Sequence, residues 1–160
     1  MSVRGLTTLV LLAVGCDEVA PADKPDNELL VEVQEAKYRE WARAPGKDGR
    51  ATSLAPHGGF VEVFNNEVVV EALADADGLG LTAWPEGSTI VLEGYNDPET
   101  ADLAQISIMQ KRHGVWYWEQ YQADQLERPR FRGRPDVCLG CHDTGQDFTR
   151  SFALPKPVEE

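Results

Sequence analysis

LAQISIMQKR, HG and VWYWEQY run without a break from Leu103 to Tyr121. In the first segment Ile106 and Ile108 fall on one side of a pleat. In the last, Trp116 and Trp118 share one side, and Val115, Tyr117 and Glu119 take the other. A period of two on both flanks of His113-Gly114 predicts an antiparallel hairpin with those two residues as its turn. Working outward, Thr89 to Tyr95 (TIVLEGY) reads as a further strand, set off by Pro85 and Gly87, and from Phe60 the residues Phe60, Glu62 and Phe64 alternate with Val61 and Val63, with Asn65-Asn66 expected as a turn. Residues 67 to 76 (EVVVEALADA) are ambiguous. Three adjacent valines favour a strand, but Val68, Val69, Ala72 and Leu73 fit a helix face, and a helix capped by Asn66 is expected. Residues 29 to 42 are also expected to be helical, best supported from Glu35 to Ala42, with Pro45 and Gly46 ending the run. The expected fold class is α+β, mainly an antiparallel sheet with a few helices.

The chain has 160 residues, room for one domain. Its 42% hydrophobic content is enough to build a core. Against 27 Asp and Glu stand 15 Lys and Arg, a net charge of −12. That balance excludes binding to nucleic acid by counterion release, and docking on anionic lipid by charge. Three cysteines cannot make a closed disulfide framework, so each needs its own explanation.

Residues 1 to 15 (MSVRGLTTLVLLAVG) place Arg4 before a short apolar run that ends in small residues. The run is too short to cross a bilayer, for which about 20 apolar residues are needed. It has the form of an export signal. LAVG followed by Cys16 resembles a bacterial lipobox, which implies lipidation of Cys16 and a membrane anchor on the periplasmic side. Residues 16 to 28, acidic and broken by proline, read as a flexible tether, and residues 29 to 160 as the folded domain.

Cys138-Leu139-Gly140-Cys141-His142 matches C-x-x-C-H, the attachment signature of haem c. Two thiols one helical turn apart can each add to a vinyl group, and the adjacent imidazole then reaches the iron. The segment is expected to form a haem-binding helix or loop near the C-terminus, with His142 as the iron ligand. The competing readings each lack a part. A thioredoxin-like pair needs no histidine, a zinc site would need both His57 and His113, and a disulfide across two residues is strained. The motif comes late in the sequence, so candidates for a sixth ligand precede it: Met109, His57 and His113. Each has a simpler structural reading, and a five-coordinate iron with an open distal face is the default expectation.

Several short stretches then line up with a known family. They are Tyr38-Arg39-Glu40-Trp41, Val61 to Asn65, Glu86 to Val91 before Glu93, and Ile108 to Lys111. Trp116-Tyr117-Trp118, Cys138 to His142 and Phe148-Thr149-Arg150 follow in order. Over about residues 35 to 152 the chain resembles the cytochrome P-460 and cytochrome c prime-beta family. The resemblance implies an exported, β-rich, usually dimeric monohaem protein. Hydroxylamine-oxidising members carry a lysine cross-linked to the haem where this chain has Leu92. The resemblance therefore implies binding of small ligands such as NO or CO, or electron transfer with a redox partner protein, over an apolar Leu92. Two alternatives stand beside it: a hydroxylamine- or NO-oxidising enzyme, disfavoured by Leu92, and a six-coordinate electron carrier.

Arg128, Arg130, Arg132 and Arg134 alternate just before the motif. In an extended segment all four would share one side, available to haem propionates or an acidic partner. Trp41, Trp116, Tyr117 and Trp118 are expected to pack rather than to relay electrons, and Glu93 and Glu119 to lie at the surface.

Overall fold

The structure, a computed structural model, describes residues 27–53, 56–75 and 78–158. The export signal, Cys16 and most of the tether fall outside the described residues. Among those residues the elements are, in order, α1 (Glu28–Glu35), a 3₁₀ turn (Tyr38–Glu40), β1 (Ala42–Arg43), β2 (Ala51–Thr52), β3 (Phe60–Asn65) and α2 (Glu67–Ala74). Then come β4 (Thr89–Tyr95), β5 (Leu103–Arg112), β6 (Val115–Gln122), β7 (Phe131–Gly133) and α3 (Asp136–His142). The strands make one antiparallel sheet in the order β1-β3-β4-β5-β6-β7, with β2 also paired to β3. The fold is α+β with a mainly antiparallel sheet, as the alternation from Leu103 to Tyr121 predicts.

The β5–β6 hairpin pairs Arg112 with Val115 across its turn. His113 (φ 54°) and Gly114 (φ 74°) are both left-handed, the primed turn whose twist matches that of the strands. Both turn amides donate to the Glu86 carboxylate, at 2.6 and 3.0 Å. Those two bonds hold Glu86 below the usual carboxylate range.

Each sheet face carries its own core. Phe64, Val91, Ile106, Ile108 and Tyr121 pack under α1, which buries Leu29, Leu30 and Val33. Burying each such aliphatic side chain contributes roughly 1.5–3 kcal/mol, and an eight-residue helix depends on that contact because it is too short to persist alone. The other face presents Val63, Ile90, Met109, Trp116 and Trp118.

The first helix differs from its expected place. It covers the LLVEV portion and ends before Tyr38, because Lys37 turns left-handed (φ 52°). Local propensity favours Glu35 to Ala42, but breaking the helix there sends Tyr38 and Arg39 to the buried Glu93. The Tyr38 hydroxyl lies 2.5 Å and the Arg39 guanidinium 2.7 Å from its carboxylate. The ambiguous second helix does form. Asn66 Oδ1 accepts from Val69 N at 3.2 Å and from Thr89 N at 3.0 Å, so one side chain caps α2 and joins it to β4.

Glu93 and Glu119 are 1% exposed, not at the surface. Glu93 is satisfied by Tyr38, Arg39 and the Tyr95 hydroxyl. Glu119 accepts from Tyr121 and from the first backbone amides of α1, while burial pushes its pKa up. The arginines do not share a side, because extended backbone covers only Phe131–Gly133. Arg132 turns to the Tyr117 hydroxyl (2.7 Å) and Glu119, whereas Arg130 lines the cleft that Cys138 and Cys141 also line. Trp116 and Trp118 are core residues, as expected.

Candidate functional site

Pro135 caps α3, and Cys138, Cys141 and His142 follow on its single face and end. Cys138 is half-buried and Cys141 exposed, and neither is in a disulfide. Burial, and then the neighbouring Cys141, push the Cys138 thiol up, so it is held as the neutral thiol. No residue of α3 is buried, although Cys138 and Leu139 rest against the tryptophan face of the sheet.

His142 Nδ1 lies 2.7 Å from the Phe148 carbonyl oxygen. A carbonyl only accepts, so Nδ1 carries the proton and Nε2 keeps its lone pair. Metal-binding imidazoles are held by this kind of contact. The carbonyl comes from a tight turn in which Gln146 and Thr149 exchange backbone bonds of 3.1 and 3.0 Å. Its central residues, Asp147 (φ 42°) and Phe148 (φ 62°), are both left-handed. That conformation costs a phenylalanine about 1–3 kcal/mol. Asp147 supplies the compensation. Its carboxylate takes Lys111 Nζ at 2.7 and 2.8 Å and Trp84 N at 2.7 Å, and its carbonyl takes Trp116 Nε1 at 2.7 Å.

Between α3 and the sheet lies a slot in two halves. His57, Ser107, Trp118 and His142 line both. One half continues over Leu92, Met109 and Phe152, with about 430 Å³ of empty space counted to its mouth; the other runs past Cys138 and Cys141, with about 610 Å³. The slot is narrow. Trp118 Nε1 and Thr149 Oγ1 are buried beside the slot, with no hydrogen-bond partner among the described residues.

The His57 loop lies flat on the sheet because position 94 is glycine. A Cβ there would sit 2.1 Å from the His57 carbonyl oxygen. Gln105 Nε2 also donates to Pro56 O at 2.7 Å. His57 Nδ1 is 3.2 Å from Ser107 Oγ, and its ring centroid is 6.1 Å from that of His142. Burial, and then the nearby His142, push its pKa down to about 4.

The structure therefore gathers Leu92, Met109 and His57 with Cys138, Cys141 and His142. His113 stays in the hairpin turn. Ser107, Thr149, Arg150 and Phe152 also line the slot, with Arg150 donating to Cys141 O at 3.0 Å. Period-two reading marks Ser107 as the polar break in the Leu92–Met109 face, and nothing local marks the others.

The donor set fits a covalently held haem: two unpaired thiols one turn apart, an imidazole with Nδ1 engaged, and an apolar slot behind it. Among the described residues no cluster of three or more His, Cys, Asp or Glu side chains is placed to hold a bare metal ion, and no helix is long and apolar enough to cross a membrane. Iron held by a macrocycle needs only one or two protein ligands. No family model matches the chain, and no curated protein matches it.

Proposed function

We propose that this protein carries one haem c, bound through Cys138 and Cys141 with His142 as axial ligand, and that it binds small neutral ligands of the NO and CO type or passes single electrons outside the cytoplasm. When bound, the haem supplies an iron that takes a diatomic ligand and changes oxidation state by one electron. The residues do the rest. Cys138 and Cys141 would tether it, and His142, its ring oriented by the Phe148 carbonyl, would hold the iron. Leu92, Ile90 and Val63 keep the slot dry. Desolvating a charge there is costly, so neutral diatomics enter more readily than charged substrates. Leu92 also lacks a nucleophile for bonding to the macrocycle, which speaks against hydroxylamine oxidation. Lipidation at Cys16 would hold the domain at the periplasmic face of a membrane.

The observation that carries this reading is the engaged Nδ1 of His142, directly after two unpaired thiols and over an apolar slot. The test is maturation of the exported protein in a bacterial host with haem-attachment machinery. Wild type should give the pyridine haemochrome spectrum of two thioether links, and its ferrous form should bind CO. Cys138→Ala with Cys141→Ala should give neither. An exported, folded wild type without haem would overturn the proposal.

A further inference from the structure

Among the described residues every arginine outside residues 128–150 is paired with a carboxylate: Arg39 with Glu93, Arg43 and Arg50 with Glu62, and Arg112 with Glu32. Inside that stretch Arg132 is paired with Glu119, but Arg128, Arg130, Arg134 and Arg150 are exposed and make no ion pair among the described residues. Carboxylates are not scarce in a chain with 27 Asp and Glu against 15 Lys and Arg. Four guanidiniums left without one in a single stretch therefore need a reason.

Three of them gather at α3. Arg134 precedes its cap, Pro135, and points to the Trp116 carbonyl at 3.5 Å. Arg150 donates to the Cys141 carbonyl at 3.0 Å, in the last turn of the helix. Arg130 lines the cleft that Val137, Cys138 and Cys141 also line. Val137 is 51% exposed, and α3 buries none of its own residues. An apolar side chain with arginines around it has the composition of a protein interface. A planar guanidinium there takes a carboxylate through two parallel hydrogen bonds. Glu127, Asp136 and Asp143 are exposed in the same stretch, so with four arginines against three carboxylates it is slightly positive, while the whole chain carries −12. Over the rest of the surface an acidic partner meets like charge, and that repulsion disfavours every other way of docking.

We infer that Arg130, Arg134 and Arg150 frame a docking surface, centred on Val137, for an acidic protein that exchanges single electrons with the centre at Cys138, Cys141 and His142. The partner's redox role rests on the haem reading above; the docking surface does not. In the exchange one electron leaves the partner's reduced centre and is gained by ferric iron, and no bond forms or breaks.

The test uses a plant-type [2Fe–2S] ferredoxin, an acidic protein, as the probe. In nitrogen NMR the guanidinium Nε resonances of Arg130, Arg134 and Arg150 should shift as the oxidised ferredoxin is added, whether or not haem is attached. No shift at any of the three would overturn the docking surface. Holoprotein, its covalent haem confirmed by pyridine haemochrome, is then reduced by reduced ferredoxin in a stopped-flow mixer. Although both proteins are acidic, the second-order rate should fall about tenfold or more between about 0.01 and 0.15 M salt, as the Debye length shrinks from about 30 to about 8 Å. Arg130→Gln, Arg134→Gln and Arg150→Gln combined should slow the low-salt rate about tenfold and make it rise with salt. Lys47→Gln, beside β1 at the opposite edge of the sheet from β7, should leave the rate unchanged. A wild-type rate that rises with salt, or a triple variant as fast as Lys47→Gln, would overturn the inference while leaving haem attachment intact.

Discussion

Lys111→Met removes one charge from the pair that holds the His142 carbonyl partner in place. The Lys111 and Asp147 side chains are 6% and 12% exposed, and Lys111 Nζ reaches both carboxylate oxygens. Methionine nearly matches the lysine stem in volume, so the change is electrostatic rather than steric. It leaves the Asp147 carboxylate buried with Trp84 N as its remaining hydrogen-bond donor. Breaking a buried pair by removing one partner costs about 3–5 kcal/mol. That is a large share of a domain stability of about 5–15 kcal/mol. At roughly 2–4 °C per kcal/mol the melting temperature should fall by on the order of 10 °C. Pairing the change with Asp147→Asn, which tolerates the left-handed backbone, should recover much of the loss. Urea unfolding followed by tryptophan fluorescence, run as a double-mutant cycle, measures both. The His142 Nδ1 resonance in nitrogen NMR should shift in the single variant as the Asp147-Phe148 turn relaxes. A loss below about 1 kcal/mol, the figure for an exposed pair, would refute the reasoning.

Gly94→Ala should destabilise by about 1–3 kcal/mol through overpacking against the His57 carbonyl, whereas Gly49→Ala, with nothing within 4 Å of the new methyl, should be close to neutral; thermal melts of both decide it. Glu86 has a lowered folded pKa, so the stability it lends the hairpin turn is present above its unfolded value of about 4.3 and lost as pH falls through the lower folded value. Amide exchange at His113 and Gly114 should quicken over that acid window and lose this dependence in Glu86→Gln. Leu92→Lys puts a nucleophile on the apolar half of the slot. With hydrogen peroxide added as the two-electron oxidant, the lysine amine should replace a hydrogen of the macrocycle, the two hydrogens leaving in water, and the haem absorption should shift to the red, while the wild type should show no hydroxylamine oxidation above free haem.

Much of the sheet was legible because β4, β5 and β6 are long enough, at seven, ten and eight residues, to show a period of two. β1, β2 and β7 have two or three residues and show no period. The first helix was misplaced because its end is set by a distant partner, Glu93, which pulls Tyr38 and Arg39 out of helical register. The same cause hid the burial of Glu93 and Glu119. A carboxylate reads as surface until its partners are known, and these come from several elements: Tyr38, Arg39 and Tyr95 for Glu93, and Tyr121 and Arg132 for Glu119. Within the site, Cys138, Cys141 and His142 stood out as a contiguous motif. The company of His57 did not, since it depends on a glycine 37 positions later that lets two segments touch.

The intact mass of the exported protein after acid–acetone extraction tests covalent attachment most directly. One haem mass should remain on the polypeptide, and replacing Cys138 and Cys141 together by alanine should remove it. Release of all haem from the wild type into the acetone layer would contradict attachment through α3.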